Sequence, residues 1–145
     1  MTLFTAPYVL EYAYRRSTGP VIGRFLGSLK AGRIEGIRAP SGKVIVPPLE
    51  YDPDTGEACE EWVDVADVGV ITTWCWVAEP RKTHPLQTPF AFALIRLDGA
   101  DTALLHAVDA PSPAHLKTGA RVKARWAPTR VGFITDIQCF ELTDD

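Results

Sequence analysis

Residues 37–62 read IRAPSGKVIVPPLEYDPDTGEACEEW. A short apolar run, KVIVPP at residues 43–48, stands between the turn signals Ser41-Gly42 and Asp54-Thr55-Gly56, where glycine supplies the left-handed backbone a tight turn needs. That is the rhythm of a small metal-binding ribbon, in which two knuckles each place two soft ligands ahead of a glycine. The four ligand positions fall at Arg38 and Ser41, then at Asp52 and Thr55. None is a thiol. A guanidinium stays protonated and hydroxyls are poor zinc ligands at neutral pH, so the stretch predicts the knuckle architecture without its metal. Structural zinc stabilises a ribbon too small to bury its own core. In its place an Asp52–Arg38 ion pair and turn hydrogen bonds from Ser41 and Thr55 are expected. Exposed pairs contribute on the order of 0–1 kcal/mol, so packing must supply the rest.

Upstream, Val21, Ile22, Phe25, Leu26 and Leu29 recur at helical spacing after Ser17-Thr18-Gly19-Pro20. This predicts an amphipathic helix from about Pro20 to Lys30, with Thr18 or Gly19 as cap and Pro20 in the first turn. Downstream the pattern becomes β-rich, in five segments: 64–77, 89–99, 102–110, 121–128 and 131–142. Five such runs with turns between them predict a small barrel, the five-stranded OB fold. The fold class is therefore mainly β, divided into a helical segment at 1–32, a degenerate ribbon at 33–62 and an OB-fold domain at 63–145. Residues 79–89, EPRKTHPLQTP, carry three prolines. They read either as a stiff extended arm able to lie on a partner or as a loop covering a barrel end.

A chain of 145 residues with 46% hydrophobic and 23% charged residues lies in the ordinary globular range. Its net charge of −3 argues against binding driven by a phosphate backbone, so nucleic acid is not an expected partner. No apolar run reaches the roughly 18 residues of a membrane span, and the opening MTLFTAPYVLEYAYRR is the reverse of a secretory signal; the chain reads as cytoplasmic. Cys59, Cys75 and Cys139 form no close pair and read as reduced. No catalytic motif is present, and His84, His106 and His115 stand in unrelated contexts, so the chain is not expected to be an enzyme by itself and no cofactor is expected.

With these motifs in place the chain resembles the acyl-CoA-associated family that joins an N-terminal helix, a rubredoxin-like zinc ribbon and a C-terminal OB fold. The ribbon match is GKVIVPP, the first barrel strands match EEWVDVADVGVITTWCWV, and the next hairpin matches PFAFALIRLDGADTALLHAVDA. The four cysteines of that family are absent. The resemblance implies a non-catalytic accessory subunit that binds a thiolase-like aldolase or thiolase as a hetero-oligomer, in steroid side-chain or lipid degradation. For that contact the expected residues are Phe25, Leu29, His84, Leu86 and Phe90, on elements expected to stand outside the barrel core. A second reading is a stand-alone acyl-CoA-binding module, with Trp74 and Trp76 stacking the adenine and Arg15, Arg16 or Arg24 meeting phosphates. Single-stranded nucleic-acid binding, common among OB folds, ranks last on the acidic balance.

The knuckle residues set the first prediction. Metal analysis of the purified protein is expected to find no stoichiometric zinc, and chelator is expected to leave its melting temperature unchanged. About one zinc per chain, or a clear loss of melting temperature in chelator, would overturn the assignment of the ligand positions.

Overall fold

The computed structural model describes residues 1–144. Residues 1–18 carry no helix or strand. Helix α1 then runs Gly19–Lys30, within one residue of the expected start. Thr18 occupies the N-cap position without a side-chain bond; instead the Gly19 N–H donates to Ser17 Oγ at 3.2 Å. Among the described residues no helix is long and apolar enough to cross a membrane.

The ribbon is a three-stranded antiparallel sheet in the order β2-β1-β3, formed by β1 (Ile34–Arg38), β2 (Val44–Ile45) and β3 (Glu61–Val65). Its knuckle glycines, Gly42 and Gly56, take φ values of 93° and 76°, which a side chain would strain. Ile37 pairs with Ile45 on one side and Trp62 on the other. Together with Ala39 and Cys59 these residues make a small core of the ribbon's own.

The remaining strands are β4 (Val68–Val77), β5 (Phe90–Leu97), β6 (Leu104–Asp109), β7 (Arg121–Trp126) and β8 (Ile137–Leu142). They close into a barrel in the order β4-β5-β6-β8-β7, all contacts antiparallel except the parallel β6–β8 pair. This is the five-stranded barrel read from the sequence. Ile71, Ile95, Val122, Ile137 and Phe140 fill it, each fully buried. Phe25 and Leu29 of α1, Ile34 and Val65 of the ribbon, and these barrel residues belong to one apolar cluster. Helix, ribbon and barrel are thus sealed against each other. Polar bonds repeat the connection: Val44 N–H donates to Asp101 Oδ2 and Val46 N–H to Thr102 Oγ1, both at 2.8 Å, tying the KVIVPP strand to the β5–β6 turn.

A bulge in β4 changes which side chains look inward. Ile71 pairs with Ile95 and Thr73 with Leu94, leaving Thr72 unpaired in the ladder. Ile71 is inward before the bulge, and Trp74 and Trp76 are inward after it, where they sit opposite Ala93 and Ala91. One extra residue inverts the alternation. The two tryptophans therefore share one side, as their two-residue spacing predicts, and the side they share is the core.

The stretch 79–89 is the covering loop and not a free arm. His84 N–H donates to Arg81 O at 2.9 Å, Arg81 N–H to His84 Nδ1 at 3.1 Å, and the Gln87 side chain to His84 O at 3.1 Å. This self-bonded turn lowers Leu86 onto the outer wall of the barrel, where it clusters with Phe90, Ala107 and Cys139. The prolines stiffen the loop as expected. Burying Leu86 and Phe90 decides which way it lies.

Two glycines give a matched test of the packing. A Cβ at Gly69 would stand 2.4 Å from Arg96 O and 2.7 Å from Leu97 Cα, both backbone, whereas one at Gly27 meets nothing within 4 Å. Gly69→Ala is expected to destabilise by about 2–3 kcal/mol, since neither strand can yield. Gly27→Ala, in a helix interior, is expected to stabilise by about 0.5–1 kcal/mol. Denaturant unfolding of the two variants checks both signs.

Candidate functional site

The knuckles meet on a carboxylate. Asp52 is 1% exposed. Its Oδ2 accepts the Ser41 N–H and its Oδ1 the Asp54 N–H, both at 2.8 Å, so one side chain binds a backbone donor from each knuckle. Burial alone would raise the Asp52 pKa, but the N–H groups of Asp54 and Ser41, the Ser41 hydroxyl and the Thr55 N–H outweigh it and hold the value down to about 2. The expected Asp52–Arg38 pair is not formed. Arg38 lies on β1 and reaches across to Glu61 of β3 at 3.1 Å, because strand register sets the two side by side. Thr55 Oγ1 accepts the Glu57 N–H at 3.3 Å, the turn bond anticipated for it. With its oxygens committed to backbone donors, and Arg38 and two hydroxyl residues beside it, this donor set does not fit zinc.

Helix α1 is fastened to the ribbon by a second carboxylate. Glu35 on β1 is buried and accepts both Arg24 Nη2 at 2.9 Å and Arg24 Nε at 3.3 Å, with the Ser28 hydroxyl on the same carboxylate. The Arg24 guanidinium also lies 4.3 Å from the Trp62 ring centroid. The Arg24 bond lowers the Glu35 pKa against the opposing effect of burial. Arg24 is thus a bidentate, ring-stacked latch, and its role as a phosphate contact would require breaking it.

The other expected site residues separate. Phe25 is 2% exposed, Leu29 and Phe90 0%, and Leu86 9%, so the helix and loop do not stand outside the core and these four side chains pack within the chain. His84 is half-buried, edge-on to Phe90 at 5.7 Å and Phe92 at 5.8 Å. Trp74 and Trp76 line the barrel interior and do not form an open stacking platform. Arg15 and Arg16 lie in the exposed leading segment. The structure brings Phe90 and Leu86 together with His84 nearby, and the tryptophan that Arg24 meets is Trp62, not Trp74 or Trp76.

The histidines lie in separate settings. His106 points into the barrel, its Nδ1 accepting the Ala107 N–H at 2.9 Å and its Nε2 facing Ile134 O at 3.3 Å. Burial lowers its pKa against those bonds, so both geometry and environment hold it neutral. His115 bonds Ser112 at 3.0 Å within one exposed turn.

Apolar surface is left uncovered in several places, Leu49 and Tyr51 after β2 among them. On the outer wall, Cys75, Leu94 and Leu105 are exposed beside Phe92. A loop tip carries Val131, Phe133 and Ile134, 57%, 63% and 40% exposed, held rigid by the Asp136 carboxylate, which accepts the N–H groups of Val131, Gly132 and Phe133. The leading segment presents the largest set, including Phe4, Tyr8, Tyr12 and Tyr14. Sequence reading passed over this last feature. The signal was the aromatic and aliphatic run that precedes Arg15 with no turn chemistry to fold it back.

Residues 62–127 match the family model for the ChsH2 C-terminal OB-fold domain, so this span is similar to that domain. Two solved structures share its architecture. A protein of unknown function from the DUF35 family of Sulfolobus solfataricus superposes with a TM-score of 0.62 at 20% identity, over 88% of this chain and 85% of that one. The Ltp2-ChsH2(DUF35) aldolase superposes with a TM-score of 0.64 at 17% identity, over 88% of this chain and 98% of that chain. No curated protein matches in sequence.

Asp52 supplies the prediction from this site. Its folded pKa of about 2 lies below the ordinary 3.8, so its contribution to stability is fully present above about pH 4 and is lost as pH falls toward 2. Asp52→Asn is expected to melt several degrees below wild type at pH 7. The gap should narrow as pH falls through that window. An unchanged gap at pH 2 would mean that the charge is not what holds the knuckles.

Proposed function

We propose that this chain is a non-catalytic accessory subunit of a thiolase-like aldolase or thiolase acting on acyl-CoA thioesters, in steroid side-chain or lipid degradation. The observation that carries the reading is the likeness, over 88% of this chain and 98% of that one, to a chain of the Ltp2-ChsH2(DUF35) aldolase, reinforced by the match at 62–127 to the ChsH2 C-terminal OB-fold domain. The side-chain chemistry agrees with it. His106 is committed inside the barrel, Asp52 and Glu35 are committed to holding the fold, and the surface includes uncovered apolar residues able to make contact. Under this reading the partner supplies the acid and base, and this chain supplies a rigid body and a surface.

The test is co-expression with a thiolase-like protein from the same genome. A complex that survives size-exclusion chromatography and cleaves a β-hydroxyacyl-CoA, with neither subunit active alone, is the expected result. Turnover by this chain after removal of every thiolase would overturn the proposal.

A further inference from the structure

The leading segment is exposed at every position from 1 to 18, yet it is built from residues that a solvated tail lacks. Leu3, Phe4, Tyr8, Leu10, Tyr12 and Tyr14 are 64–88% exposed, whereas segments that stay unordered are poor in aromatic residues. Extended backbone places Tyr8, Leu10, Tyr12 and Tyr14 on one face, since side chains alternate along a strand. Buried together, the apolar side chains would remove roughly 1,000 Å² from water, above the ~800 Å² per partner of a standard stable interface. That is enough to carry specific binding.

Among the described residues, neither this chain nor a second copy offers a favourable open edge for such a strand. The barrel is closed and has no free edge. The ribbon's outer strands are β2, only two residues long, and β3, whose Glu61 and Asp64 already pair with Arg38 and Arg33; short, charged edges resist strand addition. The segment itself is net basic, Arg15 and Arg16 against Glu11, so the surface that takes it carries carboxylates. With the edges of this chain closed, short or charged, the strand edge that takes it belongs to a different protein.

We infer that residues 3–16 are the docking element of this subunit. They order on the thiolase-like partner along an open strand edge, with carboxylates at one end to meet Arg15 and Arg16. This rests on the accessory-subunit reading above and adds to it the element that makes the contact. Phe25 and Leu29 then serve a different purpose from the one their spacing suggested: they anchor α1, from whose first residue the segment departs.

The experiment compares wild type, a deletion of residues 2–14, and the triple variant Tyr8→Asp, Leu10→Asp, Tyr12→Asp, each titrated into the purified thiolase-like subunit. All three should melt at the same temperature, because the altered residues are exposed. The deletion and the triple variant are expected to bind on the order of 100-fold more weakly, and hydrogen exchange should show residues 3–14 protected only in the wild-type complex. Equal affinity with the segment removed would overturn the inference and leave the accessory-subunit reading standing. Failure of wild type to bind any thiolase-like subunit would remove that reading and this inference with it. Concentration-dependent self-association of wild type, lost in the variants, would make a second copy the occupant and also overturn it.

Discussion

The bond that the ribbon depends on is the one between a single carboxylate and the backbone of both knuckles. Asp52 takes the N–H of Ser41 from the first knuckle and of Asp54 from the second, which a small three-stranded sheet needs because its own core is only Ile37, Ala39, Ile45 and Cys59 with Trp62 against them. In a zinc ribbon the ion draws four thiolates together and the backbone donors satisfy the sulfurs. Here the donors remain and one anion occupies the centre. An anion held by several N–H groups in a buried position is strongly oriented, so the knuckles keep their shape with a charge of −1 in place of a metal.

Such a clamp orients a ribbon but does not by itself stabilise one, and the rest comes from outside it. Glu35, on the neighbouring strand, draws in Arg24 and Ser28 of the helix, and Arg24 spreads over Trp62. Asp101 and Thr102 tie β2 to the barrel. Each polar link overlies continuous apolar packing through Phe25, Leu29, Ile34 and Val65. The ribbon is therefore integrated with the rest: it is stabilised by the helix on one side and the barrel on the other.

That integration changes where contact surface can lie. Helix and loop side chains that would have made plausible anchors are consumed in holding the subunit together, and Leu86 and Phe90 close the outer wall of the barrel. What stays uncovered includes the leading segment, the loop tip at Val131 and Phe133, and the strip from Cys75 to Leu105. A body this tightly cross-linked is suited to presenting an exposed segment, because contacts made by the segment cost nothing in the body's own structure.

Much of this fold is written locally. The helix follows from apolar spacing after Pro20, the five barrel strands from alternation and turns, and the knuckles from Gly42 and Gly56, because helix periodicity, strand alternation and left-handed turns are properties of a few neighbouring residues. The poor zinc-ligand quality of the four knuckle positions was legible for the same reason, as Arg38, Ser41, Asp52 and Thr55 declare it by type alone. Pairings across the chain were not legible. Whether Arg38 meets Asp52 or Glu61 depends on the register of β1 against β3. Whether residues 79–89 lie on a partner or on the barrel depends on the distant Ala107 and Cys139 that Leu86 and Phe90 cover, and the orientation of Trp74 and Trp76 depends on one unpaired residue at Thr72. The sequence by itself determined which elements form; tertiary structure decided which face each one buries, because burial is settled by whatever surface arrives opposite, and that surface comes from elsewhere in the chain.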